Sequence, residues 1–263
     1  MNKIKKRLNF LAQKNKIGLM THVVAGCPYI KMSEKIIDLM LKKVDFLEIQ
    51  LPFSDPVADG KVMMKANQVA LENNTKVKDA FSLAEKICKK TEIPIFFMGY
   101  FNLIYKMGVE KFCQKCSKIG ISGLIFPDIP FDEARNEKFL FFCQKFSLPI
   151  IQVVSENTSE ERLKKIASLQ GELIYCQSRF GTTGVGKNFS KKLPNFLRKV
   201  KNLTKKSLAV GFGISSRQDI LKVTKNAEVA VIGSKIMSMA LDEKLKDQDK
   251  LKQIDQFIDK ILI

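Results

Sequence analysis

The chain has 263 residues, is 45% hydrophobic, and carries 45 Lys+Arg against 27 Asp+Glu for a formal charge of +18. A length near 250 residues suits one α/β domain spanning 1–263, since no linker-like stretch divides the sequence and no apolar run reaches the roughly 18 residues of a membrane span. The lysines recur in almost every helical segment and turn, with no basic stripe interleaved with aromatics, which argues for solvated helix faces and against nucleic acid.

The N-terminal MNKIKKRLNFLAQKNK places lysines on both sides of a very short apolar patch, so Lys3 to Lys14 is expected to be a basic amphipathic helix and not a secretion signal. Short β-branched and aromatic runs then begin near Gly18, Val44, Pro94, Ser122, Leu148, Glu172, Ser207 and Glu228. Helical periodicity separates them over Ser33–Lys42, Val77–Lys90, Val109–Lys118, Asp132–Phe146, Ser159–Ser168, Ser190–Leu203 and Ser216–Lys225. Ser33, Asp132, Ser159, Ser190 and Ser216 stand where N-caps belong. Eight βα units in a chain of this length predict a closed parallel (β/α)8 TIM barrel, with the extra N-terminal helix covering its bottom. Two segments after strands, Pro52–Asn74 and Ser178–Phe189, are long enough to be read as additional loops on the active-site face.

The second strand and its turn, FLEIQLPFSDPVADG from Phe46 to Gly60, hold the strongest chemical signal. Side chains alternate along a strand, so Leu47, Ile49 and Leu51 share one face and Phe46, Glu48 and Gln50 the other. If the second face is the barrel interior, Glu48 loses water and its pKa rises toward the range useful for proton transfer. The turn that follows is crowded with Asp55 and Asp59. Six cysteines, at 27, 88, 113, 116, 143 and 176, lack the dense spacing of a disulfide framework and fit a reducing cytoplasm. Cys113 and Cys116 form a lone CxxC with no second pair, so helix packing is expected for them and no metal site.

Three glycine-bearing turns close strands six, seven and eight: SRFGTTGVG from Ser178, GFGIS from Gly211 and IGS from Ile232. Glycine lets backbone N–H groups approach an anion, and helix N-termini direct partial positive charge at it, so a phosphate site is expected at this end. None of the three is a Walker loop or a dinucleotide fingerprint.

Taken with Glu48, the motifs PFSDPVADG (Pro52–Gly60), GYFN (Gly99–Asn102), PDIPFDEA (Pro127–Ala134), YCQSRFGTTG (Tyr175–Gly184) and VGFGISS (Val210–Ser216) make the chain resemble the tryptophan synthase alpha subunit from end to end. That family is a lyase of tryptophan biosynthesis, cleaving indole-3-glycerol phosphate to indole and glyceraldehyde 3-phosphate. The resemblance implies Glu48 as the general acid/base and Asp59 as the group acting at the indole nitrogen. It implies Tyr100, Tyr175, Thr183 and Phe212 as substrate-lining residues, Thr183 belonging to a loop that hydrogen-bonds the aspartate on closure. Gly184, Gly213, Gly233 and Ser234 would donate N–H groups to phosphate. Asp55 and Pro56 would meet a beta subunit in an alpha2beta2 heterotetramer. The pyridoxal phosphate of that assembly belongs to the beta subunit, so no cofactor is expected in this chain.

The chain departs from the family's pattern at several places. His22, Val24 and Cys27 stand where an aromatic residue, a threonine and an aspartate are usual; Lys61 and Met64 replace the Pro and Gln after Gly60; Ser155 and Glu156 replace Ala-Pro. Displacing a catalytic group by about 1 Å can cost on the order of 100-fold in rate. These changes therefore leave open a second expectation, an alpha-type subunit of weak activity that serves mainly as allosteric activator of its beta subunit. A different phosphate-binding barrel enzyme is a third.

Overall fold

The computed structural model describes residues 2–129, 137–177, 192–211 and 213–262. Eight strands form one parallel sheet in the order β4-β3-β2-β1-β8-β7-β6-β5. They are β1 Gly18–Val24, β2 Phe46–Gln50, β3 Ile95–Met98, β4 Gly123–Ile125, β5 Val153–Val154, β6 Leu173–Gln177, β7 Ser207–Gly211 and β8 Val229–Ile232. The ring is completed between β4 and the residues entering β5. There the Leu124 N–H donates to the Pro149 carbonyl at 2.9 Å and the Ile151 N–H to the Leu124 carbonyl at 2.7 Å. Gly123 is needed at this seam, because a Cβ there would meet the Pro149 oxygen at 3.0 Å and the Phe96 ring at 3.1 Å.

Among the described residues the helices are α1 Lys3–Gln13, α2 Ile30–Met40, α3 Lys61–Glu72, α4 Val77–Lys90, α5 Phe101–Met107, α6 Val109–Ile119, α7 Phe139–Lys145, α8 Glu160–Ala167, α9 Leu193–Thr204, α10 Arg217–Val223, α11 Ser234–Ala240 and α12 Asp247–Ile261. The expected eight strands, the barrel and the N-terminal helix are all present. Two expectations are corrected. Pro52–Asn74 is not a structureless loop, since its second half is α3. Ser33 is no N-cap: α2 starts three residues earlier, at Ile30, and the Ser33 hydroxyl is turned back to accept from the Gly26 N–H at 3.0 Å. Ser159 and Ser216 do cap α8 and α10, accepting from the Arg162 and Asp219 N–H groups. Asp132 and Ser190 lie outside the described residues.

Strand alternation divides the apolar residues into two layers. Ile4, Leu8 and Leu11 of α1 join Met20, Phe46, Phe96, Ile125, Ile151, Tyr175, Ala209, Val229 and Val231 in the barrel interior. Leu47, Ile49 and Leu51 belong instead to the larger cluster between sheet and helices. α1 thus plugs the bottom of the ring with a three-residue apolar stripe, leaving the C-terminal ends of the strands as the open face. Burying a Leu or Ile side chain contributes roughly 1.5–3 kcal/mol, enough for that stripe to anchor an otherwise lysine-rich helix. Among the described residues no helix is long and apolar enough to cross a membrane.

Candidate active site

The interior face of β2 reads Phe46, Glu48, Gln50 from bottom to top. Phe46 stacks on Phe96 with ring centroids 6.1 Å apart, forming an aromatic floor beneath the acid. Glu48 sits in register with His22 of β1 and Phe96 of β3 and is 2% exposed. Its Oε1 lies 3.6 Å from His22 Nδ1, while Oε2 has no hydrogen-bond partner among the described residues. Burial, and then the like charge of Asp59, push the Glu48 carboxyl up to about 8. At neutral pH it therefore holds its proton.

Asp59 reaches the same place from the turn that precedes α3. The turn is set by N–H groups of Val57 and Asp59 bonding the carbonyls of Asp55 and Pro56 at 2.8 and 2.9 Å. The Asp59 carboxylate is 5% exposed, and its Oδ2 accepts from Gln50 Nε2 at 2.6 Å and from Asn67 Nδ2 at 3.2 Å. Asn67 is itself fixed, donating to the Met63 carbonyl at 2.9 Å and accepting from the Phe53 N–H at 3.0 Å. Burial raises Asp59 to about 6, against the opposing hydrogen bonds of Gln50, Tyr100 and Asn67. Two carboxyl groups in one cavity thus divide near neutral pH into a protonated acid and an ionised base, the pattern of paired acid/base machinery.

Tyr100 and Tyr175 complete the described part of the site. Tyr100 stacks on Phe53 at 5.1 Å, its hydroxyl accepts from the Ala58 N–H at 3.1 Å, and it hydrogen-bonds Asp59, so it braces the turn that presents the acid. Tyr175 points inward from β6, where burial, and then the charges of Glu48 and Asp59, hold its hydroxyl well above the usual tyrosine range. Its ring passes over Gly211, where a Cβ would fall 2.2 Å from the tyrosine oxygen. Glycine at 211 is therefore a matter of space.

The anion end lies on the neighbouring strands. Gly213 follows β7 with φ +83, a left-handed value that favours glycine. Gly233 and Ser234 follow β8, and Gly233 is the N-cap of α11, so no N-cap side chain occupies the first-turn N–H groups of that helix. Gly233 also contacts His22, a Cβ there meeting the His22 Cβ at 3.0 Å and Nδ1 at 3.2 Å. The glycine turns of β7 and β8 and the acid pair consequently share one end of the barrel. Thr183, Gly184 and Phe212 lie outside the described residues.

Of the departures, Val24 and Cys27 are fully buried in the layer between sheet and helices. There burial pushes the Cys27 thiol up to about 12. Lys61 and Met64 are exposed on the outer side of α3, Met64 by 46%. Glu156 lies on the loop after β5, its Oε1 buried and without a hydrogen-bond partner among the described residues. Only His22 enters the acid pair. Cys113 and Cys116 are buried in helix packing, with the Cys113 sulfur 3.9 Å from that of Cys143 across α6 and α7. Among the described residues no group of three or more His, Cys, Asp or Glu side chains is disposed to hold a metal ion. Asp55 is exposed, and Pro56, buried beside it, helps to line a cleft of about 520 Å³ with Ser54, Lys61, Met64 and Gln68.

Gln50 and Asn67, which hold Asp59, are the functional residues that sequence reasoning did not assign. Gln50 carried a signal, sharing the strand parity of Glu48. Asn67 lay in a segment taken for loop and carried none.

Known proteins resemble this chain in sequence and in fold. A family profile described as Tryptophan synthase alpha chain matches residues 8–261. The tryptophan synthase alpha chain of Syntrophotalea carbinolica is 40% identical over 236 residues, covering 89% of this chain and 92% of the relative. That of Methanocaldococcus jannaschii is 36% identical over 254 residues, covering 94% and 90%. Among solved structures, an Aquifex aeolicus chain superposes with a TM-score of 0.89 at 29% identity, covering 99% of this chain and 98% of the other. A mutant tryptophan synthase alpha-subunit from Pyrococcus furiosus does so with a TM-score of 0.83 at 26% identity, covering 93% and 97%. A profile match running nearly from end to end, over a barrel whose second strand delivers a protonated glutamate beside a braced aspartate, places the chain in the tryptophan synthase alpha chain family.

Proposed function

We propose that this chain is a lyase that cleaves indole-3-glycerol phosphate by retro-aldol chemistry, with Glu48 and Asp59 as its catalytic residues. The observation that carries the reading is the placement of two buried carboxyl groups in one cavity, Glu48 on the interior face of β2 and Asp59 held by Gln50 and Asn67. Cleavage of the bond between indole C3 and the glycerol side chain needs C3 to gain a proton and the adjacent glycerol hydroxyl to lose one. Protonated Glu48 delivers the first proton, and the carboxylate it becomes removes the second, so the C–C bonding pair returns to the indole ring as the aldehyde forms. Protonation at C3 makes the ring an indolenine cation. Asp59, already ionised, accepts a hydrogen bond from the ring N–H and stabilises the positive charge there until the C–C bonding pair returns to the ring.

Tyr100 and Tyr175 are assigned to the walls of the indole pocket, together with Thr183 and Phe212. Gly184, Gly213, Gly233 and Ser234 are assigned to the phosphate, a role supported by the uncapped first turn of α11 and by the positive φ of Gly213. The product indole is apolar, and a beta subunit docked on the Asp55–Pro56 turn would receive it. The exposed Val57 and Met64 beside that turn supply apolar contact area. We assign an alpha2beta2 assembly in the cytoplasm, with pyridoxal phosphate carried by the beta subunit and no cofactor in this chain.

Indole release from indole-3-glycerol phosphate, measured with and without the cognate beta subunit, tests the assignment. Glu48→Gln and Asp59→Asn should each lower kcat by about 10²–10⁴-fold, the usual weight of a positioned acid or base. Retention of wild-type turnover by either variant refutes the role given to that residue.

A further inference from the structure

The imidazole of His22 is bonded at one edge, faces Glu48 at the other and is packed on one flank. Asp59, when ionised, can only accept hydrogen bonds, so it requires the NH2 end of the Gln50 amide, which lies 2.6 Å from its Oδ2. That turns the Gln50 oxygen toward His22, 2.8 Å from Nε2, and an oxygen acceptor there requires that Nε2 carry the hydrogen. Nδ1 is left as a bare lone pair, and Glu48 Oε1 stands 3.6 Å from it. Gly233 of the turn after β8 closes the flank, at a distance that admits no side chain between backbone and ring. Burial lowers His22 to about 4, so the ring is neutral and the contact with Glu48 is no ion pair.

We propose that His22 is a positioning residue of the cleavage reaction: its Nδ1 accepts the hydrogen bond of the protonated Glu48 carboxyl, and through Gln50 it ties that acid to the ionised state of Asp59. The inference rests on reading Glu48 and Asp59 as the catalytic pair. The present 3.6 Å gap is longer than a formed hydrogen bond, and a small rotation of the Glu48 carboxyl closes it. The chain of donors runs one way, Glu48 to His22 to Gln50 to Asp59. Protonating Asp59 removes the demand for the Gln50 NH2, frees the amide to turn over, and releases the imidazole tautomer that faces Glu48. The acid would then lose its acceptor when the base is neutralised, so the pair is competent only in the mixed state. Among the described residues the other titratable groups facing it are Tyr100 at the start of α5 and Tyr175 on β6, while β8 presents Val231 and Gly233.

A hydrogen bond to the neutral form of an acid favours that form, so removing His22 as acceptor should lower the Glu48 pKa even though the site stays buried. The test is a ¹³C NMR titration of the full chain labelled at the glutamate side-chain carboxyls, with the Glu48 signal identified by its loss in Glu48→Gln. His22→Phe should move the Glu48 midpoint down by about one pH unit. His22→Asn, whose Oδ1 stands near the position of Nδ1, should restore at least half of that shift. In steady-state assays His22→Phe should lower kcat about tenfold, with KM within about twofold, and shift the alkaline limb of the rate profile to lower pH. A Glu48 midpoint that stays or rises in His22→Phe, or a His22→Asn variant that titrates like the Phe variant, overturns the proposal. The titration is read without substrate, so failure of the wild-type chain to release indole would count against the proposed reaction and not against this hydrogen bond.

Discussion

A glutamate that keeps its proton inside the barrel is a burden on the folded state. In the unfolded chain Glu48 ionises near 4.5, whereas in the fold it does so at about 8. Because the folded value is the higher one, its contribution to stability is most favourable below 4.5 and declines as pH rises from there through 8, where it levels off. Glu48→Gln removes the ionisable group and should stabilise the chain relative to wild type by on the order of 3 kcal/mol at pH 7, with the difference vanishing near pH 4. Thermal melts of the two proteins across that range check it, and a difference independent of pH would contradict the buried, protonated assignment. Glu48 was legible in sequence because an acid on the minority face of an aliphatic strand needs a reason. Its partners were harder to see. Asn67 is buried on a helix face where an apolar residue would be expected, and it disguised α3 by interrupting the stripe formed by Met63, Ala66 and Ala70. His22 was visible as a departure from the family's aromatic residue, but only the register of β1 against β2 shows that it meets Glu48.

At the level of the elements, sequence periodicity located the strands well and the helix starts unevenly. α4 begins and ends where its pattern predicts, at Val77 and Lys90, with the Asp79 carboxylate accepting from the Lys76 N–H at 2.8 Å. α2 begins earlier than expected because Ser33, the apparent cap, is occupied in holding the β1–α2 turn at Gly26. The seven-residue α5 and α11 and the fifteen-residue α12 were not singled out in the sequence, although the equally short α10 was. Spacing also left unseen why β7 ends in glycine. Gly211 does not have a positive φ, so alanine is compatible with its backbone, yet its Cβ would occupy the place of the Tyr175 hydroxyl. Gly211→Ala should therefore leave the far-ultraviolet circular dichroism unchanged while lowering kcat/KM for indole-3-glycerol phosphate about tenfold or more, through displacement of the tyrosine. Unchanged kinetics would show that Tyr175 has room to move without consequence.

Across the molecule as a whole, the strong positive charge resolves into dispersed surface lysines, many of them in ion pairs such as Lys90–Asp38, Lys145–Glu110 and Lys199–Glu160. Exposed pairs of this kind contribute little stability each, and their value lies in solubility. The departures from the family's pattern, which in sequence hinted at a weakened enzyme, mostly fall on the outer layer or on solvent, leaving the acid pair braced. The ring that carries this pair is unequal around its circumference. β1 and β2 are zipped along five residue pairs, from Met20–Phe46 to Val24–Gln50, whereas β4 and the approach to β5 meet at the single bridge Leu124–Ile150. A closed ring must unlatch somewhere before it can unroll, and the thinnest clasp is the place where doing so sacrifices least. In native-state deuterium labelling the Leu124 and Ile151 amides should therefore exchange by openings too small to disturb β1 and β2. Glu48 rides on one of the two most extensively paired junctions of the ring, so the barrel can breathe at its seam while that acid stays in place.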